Sequence, residues 1–146
     1  MRRIPPPPEP LRKRLAHSLS ALVRGYPNQW SEDTTRDTWK PFYVELDQST
    51  PLTPDTFRSC IDAPADRTIR LREFGEYFDY INDPDVGIDE DEKRTFALLR
   101  ELMATFLTDA TIVSVGENQL INTTTFIVGR LDDGSIVGIR ANAVQT

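Results

Sequence analysis

The chain has 146 residues, of which 38% are hydrophobic and 27% are charged, and its formal net charge is −6. This length fits one domain with its own core, and no apolar run approaches the roughly 20 residues that a membrane-spanning helix needs. Its single cysteine, Cys60, excludes an intrachain disulfide, and no apolar segment typical of a signal peptide follows Met1-Arg2-Arg3. These features predict a soluble cytoplasmic protein without a membrane partner.

The charge is unevenly distributed. Residues 1–25 carry a net charge of +5, whereas the other 121 residues carry −11. An acidic body repels the phosphates of nucleic acids, so we expect no direct nucleic-acid partner. It suits a basic protein partner instead, although acidity that only maintains solubility explains the same composition.

The N-terminal segment, residues 1–10, contains four consecutive prolines and cannot be helical. We expect a short polyproline II arm, either a ligand for an aromatic groove or a solvated tail. Residues 11–146 are predicted to form a single domain. Within it, residues 11–24 have leucines at helical spacing, and Gly25 is placed to cap that helix.

Residues 26–40 are polar, lack a clear periodicity and are predicted to form a long loop. The acids of this loop are Glu32, Asp33 and Asp37, and its large aromatic residues are Trp30 and Trp39. Two interpretations stay open. The tryptophans either attach the loop to the core, or join the acids in a binding surface, since aromatic residues are enriched at the centres of interfaces.

The middle of the chain alternates strands and helices. Residues 42–46 and 66–71 are predicted strands, and residues 72–81 a predicted helix. A further short helix is expected to open at Thr53-Pro54, with threonine as its cap, proline at its first position and Cys60 on its apolar face.

An acidic turn follows at residues 82–89. Glycine and glutamate do not fall at the positions that an EF-hand loop requires, so we expect no calcium site. Asp89 is predicted to cap the next helix, with Glu92 three residues later as the partner of a capping pair.

The last third of the chain contains a long predicted helix, residues 90–107, and three strands, residues 111–115, 123–128 and 135–139. The predicted order is α-β-α-β-α-α-β-β-β, ending in an antiparallel meander with a tight hairpin at Asp133-Gly134. We expect an α+β layered sandwich around a mixed, partly antiparallel sheet. Val144-Gln145-Thr146 carries no charged or flexible extension, so we expect the terminal carboxylate to stay close to the packed structure.

Catalytic signatures are missing from the sequence. There is one histidine, His17, on a helix without a supporting motif, and no motif of a hydrolase, a metalloprotease or a nucleotide-binding loop occurs. We therefore expect a protein that is not an enzyme, needs no cofactor and holds no metal of its own.

The C-terminal part of the chain resembles the nuclease A inhibitor family (NuiA-like proteins). The resemblance covers roughly residues 41–146 and is weaker towards the N-terminus. It is carried by the order and spacing of short segments and by the final threonine; the segments are Asp89-Glu90-Asp91-Glu92, Leu98-Leu99, Val115-Gly116-Glu117, Phe126-Ile127-Val128-Gly129, Gly134-Ser135-Ile136-Val137-Gly138-Ile139 and Val144-Gln145-Thr146.

This resemblance implies a three-layer α/β/α sandwich of the PR-1-like type. It also implies inhibition of a sugar-non-specific, Mg²⁺-dependent ββα-metal endonuclease that is basic around its active site. In the family, the C-terminal threonine enters that site and engages its metal, which assigns the same role to Thr146. A carboxylate of fixed position is a hard oxygen ligand that can replace a phosphate oxygen on magnesium.

The family's second contact, an acid near the first strand, corresponds best to Asp37, with Asp33 and Glu32 as alternatives. The family's tryptophan in the loop before the long helix has no counterpart, because residues 82–87 contain no aromatic residue. Trp30 or Trp39 could compensate, or the module could bind a partner that is not a nuclease. The resemblance thus suggests a partner-binding set of seven residues: Thr146, Gln145, Asp37, Asp33, Glu32, Trp39 and Asp85.

Overall fold

The computed structural model describes residues 9–32, 37–116 and 122–144. In this part of the chain, four helices accompany one five-stranded sheet. Their order along the chain is α1 (Leu11–Leu22), β1 (Lys40–Val44), α2 (Pro54–Ile61), β2 (Thr68–Glu73), α3 (Gly75–Asn82), α4 (Glu90–Phe106), β3 (Thr108–Gly116), β4 (Asn122–Arg130) and β5 (Ile136–Val144). The predicted α+β class and the order of the elements are confirmed.

The sheet has the strand order β1-β5-β4-β3-β2, and every pairing among these described strands is antiparallel. The expectation of a mixed sheet was therefore wrong. The last three strands form the predicted meander, while β1 and β2 add to its two opposite edges. Helix α2 lies in the connection from β1 to β2, which crosses the sheet from one edge to the other. Because these two strands are not neighbours, the crossover produces no parallel pair.

Helices cover both faces of the sheet. Ile112 and Val113 are consecutive residues of β3, both fully buried, and they belong to two different core clusters. Because successive strand side chains point to opposite faces, the two clusters lie on opposite sides of the sheet. The larger cluster contains the buried hydrophobic residues of α1, α3 and α4, and the smaller one is built around Phe57 of α2.

Most boundaries differ from the predictions by a few residues, and two differences have clear causes. Arg72, placed in a helix by the sequence, stays in β2 because it pairs with Ile112 of β3. Strand β5 continues five residues beyond its predicted end, to Val144. Ala141 and Ala143 are buried in this extension, whereas Asn142 between them is exposed.

Two predicted helix starts are confirmed in atomic detail. The hydroxyl of Thr53 accepts from the backbone N–H of Thr56, and the Thr56 hydroxyl accepts from the backbone N–H of Thr53, which completes a capping box before α2. At the start of α4 the Asp89 carboxylate accepts from the backbone N–H of Asp91, which confirms Asp89 as the cap. The pairing of this cap with Glu92 stays a prediction, and the Glu92 carboxylate accepts from Gln29 Nε2. The predicted end of α1 was wrong: the helix ends at Leu22 with Val23 as its C-cap, and Gly25, predicted to cap it, lies in the turn that follows, with a φ of +86°.

Candidate functional site

The loop between α1 and β1 folds back on itself beside the C-terminal strand. Its two limbs meet in an antiparallel bridge between Pro27 and Thr38, and the backbone N–H of Asn28 donates to the Asp37 carbonyl at 2.9 Å. The buried Asn28 amide donates to Thr125 Oγ1 at 3.1 Å and to the Ala141 carbonyl at 3.4 Å. Asn28 thereby attaches the loop to β4 and β5.

Tyr77 of α3 supports the loop from the core side. Its hydroxyl accepts from the backbone N–H of Gln29 at 2.9 Å and donates to the Pro27 carbonyl at 3.4 Å. Burial raises the pKa of Tyr77 far above its ordinary value, so the hydroxyl stays protonated and able to donate. The Trp30 ring meets the Tyr77 ring edge-on at 5.1 Å and carries the Arg72 guanidinium on its face, 4.3 Å from the ring centre.

Trp39 is a core residue. Only 3% of it is exposed, and its ring packs edge-on against Tyr77 at 5.3 Å and against Phe96 of α4 at 6.5 Å. Of the two interpretations of the loop tryptophans, attachment to the core describes Trp39. In this conformation its ring presents no surface to a partner, which corrects its inclusion in the partner-binding set.

The loop also pairs with the end of β5. The backbone N–H of Glu32 donates to the Val144 carbonyl at 2.7 Å, and the backbone N–H of Val144 donates to the buried Ser31 hydroxyl at 3.1 Å. We call these three residues, Ser31, Glu32 and Val144, the C-terminal clasp. It binds both backbone polar groups of Val144, so β5 has a fixed position up to that residue.

Asp37 braces the same strand two residues earlier. Its Oδ2 accepts from the backbone N–H of Asn142 at 3.0 Å, and its Oδ1 lies 2.8 Å from Lys40 Nζ. Partial burial alone would raise the pKa of Asp37. The hydrogen bonds from Asn142 and Lys40 outweigh that effect and hold the pKa below 3.8, so the carboxylate is ionised at neutral pH.

A hollow of about 350 Å³ lies beside the clasp. Its walls are mostly polar and come from the loop, from the segment before β2, from the end of β3, from the start of β4 and from the end of β5; they include Asp37, Arg67, Asn122, Thr124, Asn142 and Val144. The Thr124 hydroxyl donates to Asn142 Oδ1 at 2.8 Å, which orients the Asn142 amide. The surface next to the clasp is thus suited to hydrogen bonding.

The turn that contains Asp85 precedes α4, whose first turn is connected to the loop. Gln29 Nε2 donates to the Glu92 carboxylate at 2.9 Å, and Glu92 is only 5% exposed. Asp85 itself is exposed, and its backbone N–H donates to Asp83 Oδ1 at 2.9 Å. Asp85 therefore belongs to a turn closed by its own hydrogen bond, at the end of α4 that contacts the loop.

Of the seven residues in the predicted set, the structure brings Glu32 and Asp37 to the end of β5. Thr146, Gln145 and Asp33 lie outside the described residues. Asn28 and Ser31, which attach the loop to the strand, were not predicted as functional residues from the sequence. The one indication was their type, because short polar side chains in loops commonly form hydrogen bonds with backbone groups.

Among the described residues, neither a metal-binding cluster nor a membrane-spanning helix is found. Within residues 9–32, 37–116 and 122–144, no group of three or more histidine, cysteine or acidic side chains could hold a metal ion. None of the described helices is long and apolar enough to cross a bilayer. His17 is exposed, and partial burial raises the pKa of the Cys60 thiol, which disfavours its nucleophilic form.

Comparison with known proteins gives one family match. The model of a family described as nuclease A inhibitor-like protein matches residues 30–146. The matched region begins inside the loop, just before Ser31 of the C-terminal clasp, and includes all five strands. A search of curated proteins finds no match.

Proposed function

Because the chain belongs to the family of nuclease A inhibitor-like proteins, we propose that it inhibits a nuclease by binding in its active site. The proposed target is a sugar-non-specific, Mg²⁺-dependent ββα-metal endonuclease. The proposed mechanism is non-catalytic: the carboxylate of Thr146 takes the place of a substrate phosphate oxygen on the nuclease's metal. The inhibitor itself supplies no cofactor.

The C-terminal clasp is the observation that carries this mechanism. A carboxylate competes well for a metal only when little conformational freedom is lost on binding. Hydrogen bonds to both backbone groups of Val144 leave Thr146 only two residues beyond a fixed point. At about 3.5 Å per residue, the carboxylate would reach roughly 7 Å past that point, far enough to enter a cleft.

The surrounding charges fit a basic active-site rim. Glu32, a member of the clasp, and Asp85, in the turn before α4, are exposed acids. Acidic groups around the inserted carboxylate would speed the encounter with a basic nuclease and disfavour other partners. We propose that Glu32, Asp33, Asp85 and Gln145 contact the nuclease around Thr146.

Asp37 has a different proposed role. Both of its carboxylate oxygens already accept hydrogen bonds, from Asn142 and from Lys40. A carboxylate oxygen can accept more than one hydrogen bond, so contact with the nuclease remains open to it. We propose that Asp37 acts first by holding the end of β5 in place, and contacts the nuclease in addition.

Family membership also supports two proposals about the fold, the type of sandwich and the extent of the domain. We propose that the helices on both sheet faces form a PR-1-like α/β/α sandwich. We also propose that residues 11–146 fold as one unit, since α1 lies outside the matched region yet buries Leu19 in the larger core cluster. A cytoplasmic location is proposed from composition.

The decisive experiment changes the position of the carboxylate. The wild-type chain is titrated against a ββα-metal endonuclease with Mg²⁺, next to a variant with one glycine added after Thr146 and a variant lacking Thr146. Thr146→Ser is the matched control, because it keeps the carboxylate in place. We expect the first two changes to weaken inhibition at least tenfold and the control to retain it.

Two results would count against the proposal. Full inhibition by the glycine-extended variant would show that the carboxylate of Thr146 is not needed for inhibition. Lack of inhibition by the wild-type chain, across several nucleases of this class, would contradict the proposed function.

An alternative partner is favoured by one feature of the sequence. Residues 82–87 contain Asp85 but no aromatic residue, whereas the resemblance implies a tryptophan in that turn. A module that binds a protein other than a nuclease would explain this difference. Capture of a non-nuclease through residues 1–40, combined with no effect on nuclease activity, would support the alternative.

A further inference from the structure

A second candidate surface lies at the opposite end of the sheet from the C-terminal clasp. Strand β5 has nine residues and runs from the β4–β5 hairpin to the clasp, so the hairpin lies roughly 30 Å away. Beside the hairpin, a groove of about 810 Å³ opens between the first turns of α1 and the last turn of α4. We call it the hairpin groove.

The hairpin groove has an apolar centre that is open to solvent. Leu11 of α1 is 56% exposed and Phe106 of α4 is 57% exposed, and both line the groove. Leu15 and Leu131 are half-buried between them, and Leu107 is buried beneath. Large apolar side chains that converge on one concave surface are typical of a binding site.

The charges around the groove lie on two walls. Asp132 and Asp133 form the hairpin wall, and Arg12 and Arg14 form the α1 wall. The Arg12 guanidinium lies 2.6 Å from a Glu45 carboxylate oxygen, so its charge is already balanced. Asp133 Oδ1 accepts from the backbone N–H of Ser135 at 2.8 Å, which fixes that carboxylate in the turn, while Asp132 is exposed. The hairpin wall therefore suits a cationic ligand.

Residues 1–8, which lie outside the described part of the chain, have the matching chemistry. They read Met1-Arg2-Arg3-Ile4 followed by four prolines. Two arginines complement the hairpin wall, and methionine and isoleucine complement the apolar centre. The segment joins the described chain at Glu9 and Pro10, directly before Leu11 at the rim of the groove.

The prolines disfavour binding of this segment to its own groove. Consecutive prolines favour an extended polyproline II conformation of about 3.1 Å per residue that resists sharp reversal. Pro10 already has this conformation, with φ −55° and ψ 145°. Residues 1–4 are joined to α1 only through residues 5–10, five of which are prolines, and such a stiff connection favours a groove on a second copy over the groove beside the same helix.

We propose that residues 1–4 of one chain bind the hairpin groove of a second copy, and that two chains exchange these segments reciprocally. Each copy then contributes one segment and one groove, which is the arrangement of a twofold-symmetric dimer. The C-terminal clasps lie at the far ends of such a dimer, so both copies keep them accessible. This inference does not depend on the proposed nuclease.

Analytical ultracentrifugation of the full chain tests this proposal, from low micromolar to several hundred micromolar protein. We expect a concentration-dependent monomer–dimer equilibrium for the wild-type chain. Removal of residues 1–8, Phe106→Asp and Asp132→Lys are each expected to weaken dimerisation at least tenfold. Leu98→Asp is the matched control, because Leu98 is an exposed residue of the same helix but does not line the groove.

A charge exchange tests the pairing itself. The double variant Arg2→Glu, Arg3→Glu should be monomeric, and mixing it with Asp132→Lys should restore a heterodimer. Circular dichroism checks that each variant remains folded.

Two outcomes would overturn the proposal: a monomeric wild-type chain at every concentration, and a dimer that persists without residues 1–8. If the wild-type chain is monomeric, a shift of the amide NMR signals of Leu107 and Leu131 on removal of residues 1–8 would show that the segment occupies its own groove.

Discussion

The backbone N–H of Asn142 donates a hydrogen bond to Oδ2 of Asp37, at 3.0 Å and across a sequence separation of 105 residues. With the C-terminal clasp, this bond connects the α1–β1 loop to the last described strand at two neighbouring positions. The connection brings the acidic loop predicted from the sequence to the end of β5, two residues before Thr146 in the sequence. Asp37, which the sequence predicts to contact a partner, thus also has a structural role, and this role can be tested separately from inhibition.

Substitution of Asp37 should reduce stability. Its side chain is 29% exposed and accepts hydrogen bonds from Asn142 and Lys40, so Asp37→Ala removes two charge-assisted bonds. We expect the free energy of unfolding in urea to fall by about 1 to 2 kcal/mol. Asp85→Ala is the control, because Asp85 is exposed, and it should change stability by less than about 0.5 kcal/mol. Equal stability of the Asp37→Ala variant and the wild-type chain would contradict the bracing role.

The same carboxylate should give stability a characteristic pH dependence. The pKa of Asp37 in the folded protein is below 3.8, so the folded state binds its proton less readily than the unfolded chain does. The stabilisation is therefore complete above about pH 4 and disappears as the pH falls through the lower folded pKa. We expect the difference in unfolding free energy between the wild-type chain and Asp37→Asn to be constant from pH 5 to 7. This difference should shrink below pH 4. A difference that grows on acidification would contradict the lowered pKa of Asp37 in the folded protein.

Ser31→Ala should loosen the C-terminal clasp. The buried hydroxyl of Ser31 accepts from the backbone N–H of Val144 at 3.1 Å, and alanine leaves that N–H without this acceptor. We expect hydrogen exchange of the Val144 amide to accelerate by about tenfold, equivalent to roughly 1.4 kcal/mol, with little change in the amides of β3. Inhibition of a nuclease should weaken in parallel. Faster exchange with unchanged inhibition would separate the clasp from the proposed mechanism.

Tyr77→Phe should weaken the attachment of the loop to the core. The substitution keeps the ring contacts with Trp30 and Trp39 but removes the hydroxyl that accepts from the Gln29 backbone N–H at 2.9 Å. We expect a loss of about 1 kcal/mol in unfolding free energy, together with faster exchange of the Gln29 amide. Tyr80→Phe is a suitable control, since Tyr80 lies on the same helix and is exposed. A Gln29 amide that keeps its protection in Tyr77→Phe would contradict this account.

Gly138 of β5 should tolerate no side chain. A Cβ atom at this position would collide with the Ile127 carbonyl oxygen and approach the Val128 Cα to 2.8 Å on the neighbouring strand. Gly138→Ala should therefore cost about 3 kcal/mol, because backbone in the centre of a sheet cannot move aside easily. Gly87→Ala is the comparison: its φ is +74° but the space around it is open, so we expect a loss of about 1 kcal/mol. Equal losses for the two variants would indicate that the sheet relaxes around Gly138.

Local patterns in the sequence determined much of the fold. The apolar spacing within α4, the threonine and proline before α2 and the Asp133-Gly134 turn each involve residues only a few positions apart. Their structures follow from hydrogen bonds and packing over that same short distance. The family resemblance likewise depends on the order of short segments, and the match over residues 30–146 confirms it.

Other features required the tertiary structure. The alternation in β3 and β4 indicates that these segments are strands, but it carries no information on which strands become neighbours, so the fully antiparallel sheet was not predicted. The extension of β5 was missed because Ala141, Asn142 and Ala143 have weak strand preferences, and their pairing with β4 overrides these preferences. Trp39 was ambiguous for a similar reason, since its burial depends on Tyr77 and Phe96, which are distant in the sequence.

The sequence by itself determined the helices, the turns, the acidic character of the chain and the family to which it belongs, because each depends on composition or on neighbouring residues. Only the tertiary structure decided how Asp37 and Ser31 hold the end of β5, and which loop residues remain exposed beside it. The hydrogen bonds that do so join residues more than a hundred positions apart. Such contacts form only when packing of the sheet and helices brings the distant segments together, and no local pattern encodes that proximity.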